Sequence, residues 1–458
     1  MLFVKSQGKN LTEGSIWKNI ILFALPVLLG NIFQQMYNTV DSLIVGNFLG
    51  DDALAAVSSS GNLIFMFVGF FNGVAMGAGI IIARCYGAKD YKAMQLAIHT
   101  DVAFGLVTGT LVTVLGVALT PTILGWMGTP ADVLPNSISY FRFYFCGGIF
   151  TVMYNIFVGI LHAVGDSEHP LYYLIFSACV NVVLDLLFVG VFHWGVGSAA
   201  LATTISQGIS ALLCCIRLVR YDTPYRLYLK QIRFHLPSLK AIIQFGLPSG
   251  IQNTVIALAN VVVQSNINAF GAAAMAGCGS YSKLEGFAFL PVTCFTQAIS
   301  TFVGQNLGAK QHDRAKKGAA FGIVCCMVMA ELIGAAMYTF APWLIDLFTE
   351  SADALSFGVR HCRTICLFYC LLAFSHCSAA ILRGAGKAAI PMIVMLLFWC
   401  VVRVSYITLA ISMVPELTTV SWAYPLTWCC SSIVFSIYLL KADWVHNFDR
   451  LDQRRASA

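Results

Sequence analysis

Charge is what this sequence has least of. Asp, Glu, Lys and Arg make up 10% of its 458 residues, where a soluble domain carries about 25%, while 58% of the residues are hydrophobic and the mean hydropathy is +0.78. That balance excludes a separate soluble catalytic domain, a nucleic-acid-binding domain and a disulfide-stapled secreted fold. No cleavable leader is expected either: Met1 to Asn10 carries Lys5 and Lys9 but only a four-residue apolar run, so insertion should begin with the first long helix. The 16 cysteines, among them Cys214-Cys215, Cys325-Cys326 and Cys429-Cys430, show no metal-site spacing and lie mostly inside apolar runs, where Cys packs as a small hydrophobe. The nine histidines are scattered without ligand spacing. No cofactor, no enzyme centre and no structural metal are therefore expected.

Long apolar runs are what the chain does have. They fall at about 17–48, 53–83, 93–120, 134–160, 170–192, 196–219, 241–269, 275–303, 317–343, 356–382, 389–413 and 418–440, and a bilayer core about 30 Å thick takes about 20 such residues per helix. The expected fold is an all-α integral membrane protein of 12 transmembrane helices. A basic stretch from Arg220 to Lys240, with Pro224 and Pro237, divides them six and six, so the domains read as a first bundle over 1–219, a cytoplasmic linker over 220–240, a second bundle over 241–440 and a cytoplasmic tail over 441–458. Of the 27 Lys and Arg, all but Arg142, Lys283, Arg360, Arg363 and Arg403 lie in the tails and the even-numbered connections. The opposite side carries Asp51, Asp52, Asp132, Asp346, Glu350, Asp353 and Glu416. By the positive-inside rule both termini are cytoplasmic, in a multi-pass protein of the cell membrane, and the net charge of +6 reflects topology rather than nucleic-acid binding.

The two halves repeat. At one constant offset Gly50 falls on Gly271, Gly87-Ala88-Lys89 on Gly308-Ala309-Lys310, Pro121 on Pro342, Arg142 on Arg363, Gly165 on Gly386 and Pro170 on Pro391. Upstream, an offset longer by one residue puts Pro26 on Pro248 and Asn31 on Asn253. An even number of helices per repeat makes both units enter the membrane in the same direction, related by a pseudo-two-fold axis along the membrane normal. Two such bundles suggest a transporter with its substrate site between them.

A charge at the bilayer centre costs about 2.5–3.5 kcal/mol even on the lenient insertion scale, so intramembrane acids are functional candidates. Asp41 and Asp185 stand out. Asn31, Gln34, Asn38 and Asp41 share one face of the first helix, and Asn181 and Asp185 share a face of the fifth. At about 1.5 Å per residue both acids sit at comparable depth in the outward half, level with Thr203. A structural role bridging helices is the alternative. Pro26 interrupts the backbone ladder of the first helix, with Gly30 close behind, so this helix can bend and move its polar face; a passive kink is the other reading. In the second repeat Val262 and Val263 stand in place of Asp41, Val402 in place of Asn181 and Tyr406 in place of Asp185. Glu331 and Arg403 are expected to pair across the second bundle. Asp101 and Glu285 are expected to be structural.

Asp41-Ser42-Leu43-Ile44-Val45-Gly46, the following Gly50 and Ala53-Leu54-Ala55-Ala56, the loop Gly87-Ala88-Lys89 with its copy, and the turn from Gly165-Asp166 to Pro170 together resemble the MATE family of multidrug and toxic compound extrusion transporters, over about residues 15–440. The resemblance implies a cation-coupling site at Asp41, Asn181, Asp185 and Thr203. Acids on helices 7 and 10, which some members use, are missing here. Substrate contacts are expected at Gln34, Asn38, Asn155, Gln207, Asn253 and Asn260. The function that follows is a secondary antiporter exporting amphiphilic, often cationic compounds in exchange for H⁺ or Na⁺, working as a monomer among membrane lipids. Flipping of a lipid-linked saccharide is the alternative within the same superfamily. H⁺ is favoured, because one carboxyl that gains and loses a proton suffices, whereas Na⁺ would recruit both acids with the oxygens of Asn181 and Thr203.

Overall fold

A computed structural model describes residues 9–126, 133–349 and 351–456, and every regular element in them is helical. Lys5, Asp132 and Glu350, and the side chains of Asp51 and Asp52, lie outside the described residues. In chain order the helices are α1 (Ile16–Leu49), α2 (Asp51–Gly87), α3 (Tyr91–Trp126), α4 (Leu134–Cys146), α5 (Gly148–Ala163), α6 (Glu168–Asp185), α7 (Gly197–Arg220), α8 (Leu236–Asn268), α9 (Ala272–Ala288), α10 (Leu290–Gly308), α11 (His312–Asp346), α12 (Ala352–Ile365), α13 (Tyr369–Gly384), α14 (Ala389–Met395), α15 (Arg403–Met413), α16 (Leu417–Lys441) and α17 (Asn447–Ala456). Among the described residues, 11 helices are long and apolar enough to cross a membrane, and the pair α4 and α5, bent by 46° at its break, makes up to 12.

The repeat is written into the backbone. Positive φ recurs at matching positions: 85° at Gly50 and 97° at Gly271, 57° at both Lys89 and Lys310, and 84° at Gly165 and 75° at Gly386. These residues end or join helices where the chain must turn sharply, and a left-handed backbone is how it does so.

The chain divides into two compact units, though not at the boundaries that hydropathy suggests. One is Met1–Asn10 with Pro26–Gly250, the other Leu11–Leu25 with Ile251–Ala458. Each unit thus takes the opening turns of the other repeat's first helix, and the changeover falls at Pro26 in α1 and two residues past Pro248 in α8. The stretch 220–240 is likewise no free linker. Tyr225 and Leu227 are buried, the Leu227 N–H bonds to the Leu218 carbonyl, the Tyr228 N–H to His99, and Gln95 to the Pro224 carbonyl. Two apolar side chains within a basic segment supply the burial that holds it against the first unit.

Within that unit α2 and the start of α8 meet backbone to backbone. A Cβ at Gly77 would lie 2.2 Å from the Gly246 nitrogen, and one at Gly73 2.4 Å from the Gly250 nitrogen. Each helix presents two glycines four residues apart, the arrangement that lets membrane helices approach closely without a hydrophobic driving force between them. The hairpin turn at Gly165-Asp166 is held differently. Asp166 accepts from the His169 ring at 2.8 Å and pairs with Arg217 of α7 at 3.6 Å, all three buried.

Candidate functional site

The two intramembrane acids of the first unit come together. Asp41 on α1 is 7% exposed, Asp185 at the end of α6 is 0% and Asn181 one turn before it 1%. The carboxyl groups of Asp41 and Asp185 lie within hydrogen-bonding reach of each other. Neither can donate when ionised, and among the described residues no donor reaches Asp185 Oδ1, Asp185 Oδ2 or Asp41 Oδ1. The Asn181 amide donates to Thr203 Oγ1 of α7 at 3.5 Å, which leaves Asn181 Oδ1 unpartnered as well. Four acceptor oxygens from two helices are thus buried with a hydroxyl from a third beside Asn181, and none of the described residues donates to them. Unpaired buried carboxylates are expensive. A bound cation removes the cost.

Helix geometry at the site supports this. Past Asp185 the α6 ladder widens into a π-turn over Leu186–Val191, a local unwinding that recurs at functional positions because it leaves main-chain groups free to adapt. Val40, Ile44, Val45, Val189, Ala199 and Ala200 form an apolar cluster beside the acids.

The aromatic residues around the pair escaped the polar-stripe reasoning. Tyr37, one turn before Asp41, is buried, hydrogen-bonds Gln34, and accepts from Gln207 of α7 at 3.4 Å. Tyr140 of α4 is close enough to feel the charges of both Asp41 and Asp185. Asn38, by contrast, is exposed: the buried face of α1 runs through Tyr37 and Asp41, and Asn38 lies one residue off it. A tyrosine spaced four residues from a buried acid was the available signal. Gln34, Asn155 and Gln207 are half-buried in the first unit, Asn155 donating to the Thr151 carbonyl; Asn253 and Asn260 belong to the second.

At the matching place in the second unit, Val263 and Ile267 pack with Cys278, Ile407 and Val420, with Tyr406 against them. The expected pairing of Glu331 with Arg403 does not form. Glu331 accepts from the Cys370 N–H at 3.1 Å, where the short 3₁₀ turn Cys366–Phe368 has interrupted the helix and left that donor without a helical acceptor. Arg403 donates to Asn260 at 3.4 Å and Thr427 at 3.1 Å and lies against the rings of Trp399 and Tyr424, while Glu285 accepts from Tyr281.

Such a fold, with a buried acid pair inside a membrane bundle, defines a transporter architecture. The MatE family model matches twice, over residues 26–187 and 248–408, which is more than half of the chain. The chain belongs to the MATE family of membrane transporters. It is 29% identical over 406 residues to the probable multidrug resistance protein YpnP of Bacillus subtilis, covering 87% of this chain and 89% of that one, and 24% identical over 384 residues to the probable multidrug resistance protein NorM of Thermotoga maritima, covering 83% and 82%. Among solved structures, a MOP superfamily transporter from Pyrococcus furiosus superposes with a TM-score of 0.88 at 23% identity over 94% of this chain and 97% of that one, and an outward-facing multidrug resistance MATE transporter does so with the same values. Both matching segments open at a proline, Pro26 and Pro248.

Proposed function

We propose that this protein is a cation-coupled antiporter of the cell membrane that exports amphiphilic, often cationic compounds, with both termini in the cytoplasm. The observation that carries the reading is the buried meeting of Asp41 and Asp185, three of whose four carboxyl oxygens find no donor among the described residues. The multidrug resistance names of relatives such as YpnP support drug export over saccharide-lipid flipping.

A cation arriving from outside neutralises the acid pair. Closing the first unit around the neutral pair lets α1 bend at Pro26, where no N–H completes the helical ladder, and that motion expels substrate outward. Substrate is held before that step by Gln34, Asn38, Asn155 and Gln207, together with Asn253 and Asn260. Exchange requires that the cation bind the two states unequally, and competition with a cationic substrate for the same carboxylates provides it. Moving a monovalent cation out against roughly 100 mV costs about 2.3 kcal/mol, and one cation moving in returns the same amount, so the ion gradient drives net export.

H⁺ is the ion this arrangement favours. A single proton between two facing carboxyls satisfies both at once, whereas Na⁺ would have to part them and draw in Asn181 Oδ1 and Thr203 Oγ1. Purified protein in liposomes, with pH and Na⁺ gradients imposed separately, tests this directly. An inward pH gradient without Na⁺ is expected to drive dye export; export that needs a Na⁺ gradient would move the assignment to Na⁺.

A further inference from the structure

We infer that the cytoplasmic end of the second unit carries a site for a transition-metal dication of the Zn²⁺ class, formed by His312, His446 and Asp449. These residues are far apart in sequence. His312 opens α11, His446 precedes α17 and Asp449 lies in the first turn of α17. One ligand atom from each lies within 4.8 Å of the other two.

The local chemistry suits a metal better than a chance cluster would. His312 Nε2 is 3.2 Å from Asp449 Oδ2, close to the edge of a tetrahedron with metal–ligand bonds of about 2.0–2.1 Å, which is roughly 3.3 Å. The imidazole rings of His312 and His446 are 4.5 Å apart. His446 Nδ1 is 2.8 Å from Asp443 Oδ1, and since the carboxylate can only accept, Nδ1 carries the proton and Nε2 keeps its lone pair. A carboxylate behind a histidine in this way is the usual outer-shell partner of a metal ligand.

Asp443, His446 and Asp449 border a pocket of about 510 Å³ that also meets Lys310, Arg450 and Asp452. Three carboxylates outnumber the two cations, and Arg450 is already paired to Asp443 at 3.1 Å. His446 is 48% exposed and free to swing the remaining distance. The pocket leaves water to complete a fourth position. The metal would tie α17 to the start of α11, a role separate from transport.

Full-length protein in detergent, titrated with Co²⁺ as a spectroscopic stand-in for Zn²⁺, tests the site without any transport assay. One saturable equivalent per chain is expected, with tetrahedral d–d bands, no thiolate charge-transfer bands from the 16 cysteines, and displacement by Zn²⁺. His312→Ala and His446→Ala should each abolish it, and Asp443→Asn should weaken it about 10- to 100-fold. Asp449→Asn, at a side chain 30% exposed, provides a further variant whose fold a thermal melt verifies. No saturable binding to the unaltered protein, a thiolate spectrum, or binding that survives these substitutions would overturn the assignment.

Discussion

Asp185 presents two carboxyl oxygens that no described residue donates to, so a cation or a change of protonation state is what can manage its charge. Asp41→Asn and Asp185→Asn keep the shape of the side chain and remove that option. Each is expected to reduce coupled export to background while expression and melting temperature stay near those of the unaltered protein; dye efflux at the normal rate in either variant would take that residue out of the mechanism. Arg217 is a contrasting buried charge. Its partner Asp166 sits in a hairpin turn rather than at the acid pair and keeps the His169 ring as a second partner, so Arg217→Ala should cost stability, though less than the about 3–5 kcal/mol of stranding a buried charge outright, read as a lower melting temperature and reduced yield. At this scale the sequence showed the acids, because an ionisable residue in an apolar run needs a reason to be there. It did not show Tyr37, since a tyrosine in a membrane helix is unremarkable until its hydroxyl is found against Gln207 and one turn from Asp41.

Helices bring a different set of expectations. Gly77 and Gly246 touch through their backbones, and a backbone cannot rotate aside as a side chain can. Gly77→Ala should therefore force α2 and α8 apart and cost about 1–3 kcal/mol, the usual range for overpacking, measurable by thermal denaturation in detergent. Pro26→Ala restores an N–H to α1 and should stiffen it. Export is expected to slow severalfold while cation binding persists; an unchanged rate would reduce Pro26 to a passive kink. Hydropathy located the apolar runs because lipid demands about 20 such residues wherever a helix crosses. The break between α4 and α5, the 3₁₀ turn at Cys366–Phe368 and the π-turn after Asp185 lie inside runs that look continuous in sequence. Packing partners and stranded N–H groups set such breaks, and neither is visible in composition.

Across the whole molecule the charge asymmetry makes its own prediction. A fluorescent protein fused after Ala458 should fluoresce inside cells and alkaline phosphatase at the same point should be inactive, as a cytoplasmic C-terminus requires; the reverse pattern would invert the topology. Membrane residence, the doubling of a six-helix unit and the confinement of the acids to the first repeat were all determined by sequence alone. Each rests on a property of residues counted or aligned along the chain: transfer free energy, offset identity and charge. Tertiary structure decided what depends on distant residues meeting. It brought Asp41 of α1 against Asp185 of α6, folded the basic stretch 220–240 onto the first unit through Tyr225 and Leu227, and gave Leu11–Leu25 to the second. It also put His312 beside His446, two histidines whose spacing in the chain matches no metal motif. Hydrophobicity places a helix in the membrane without saying which neighbours it will have, because lipid tails and apolar side chains are nearly equivalent surroundings; close packing and unsatisfied polar groups make that choice.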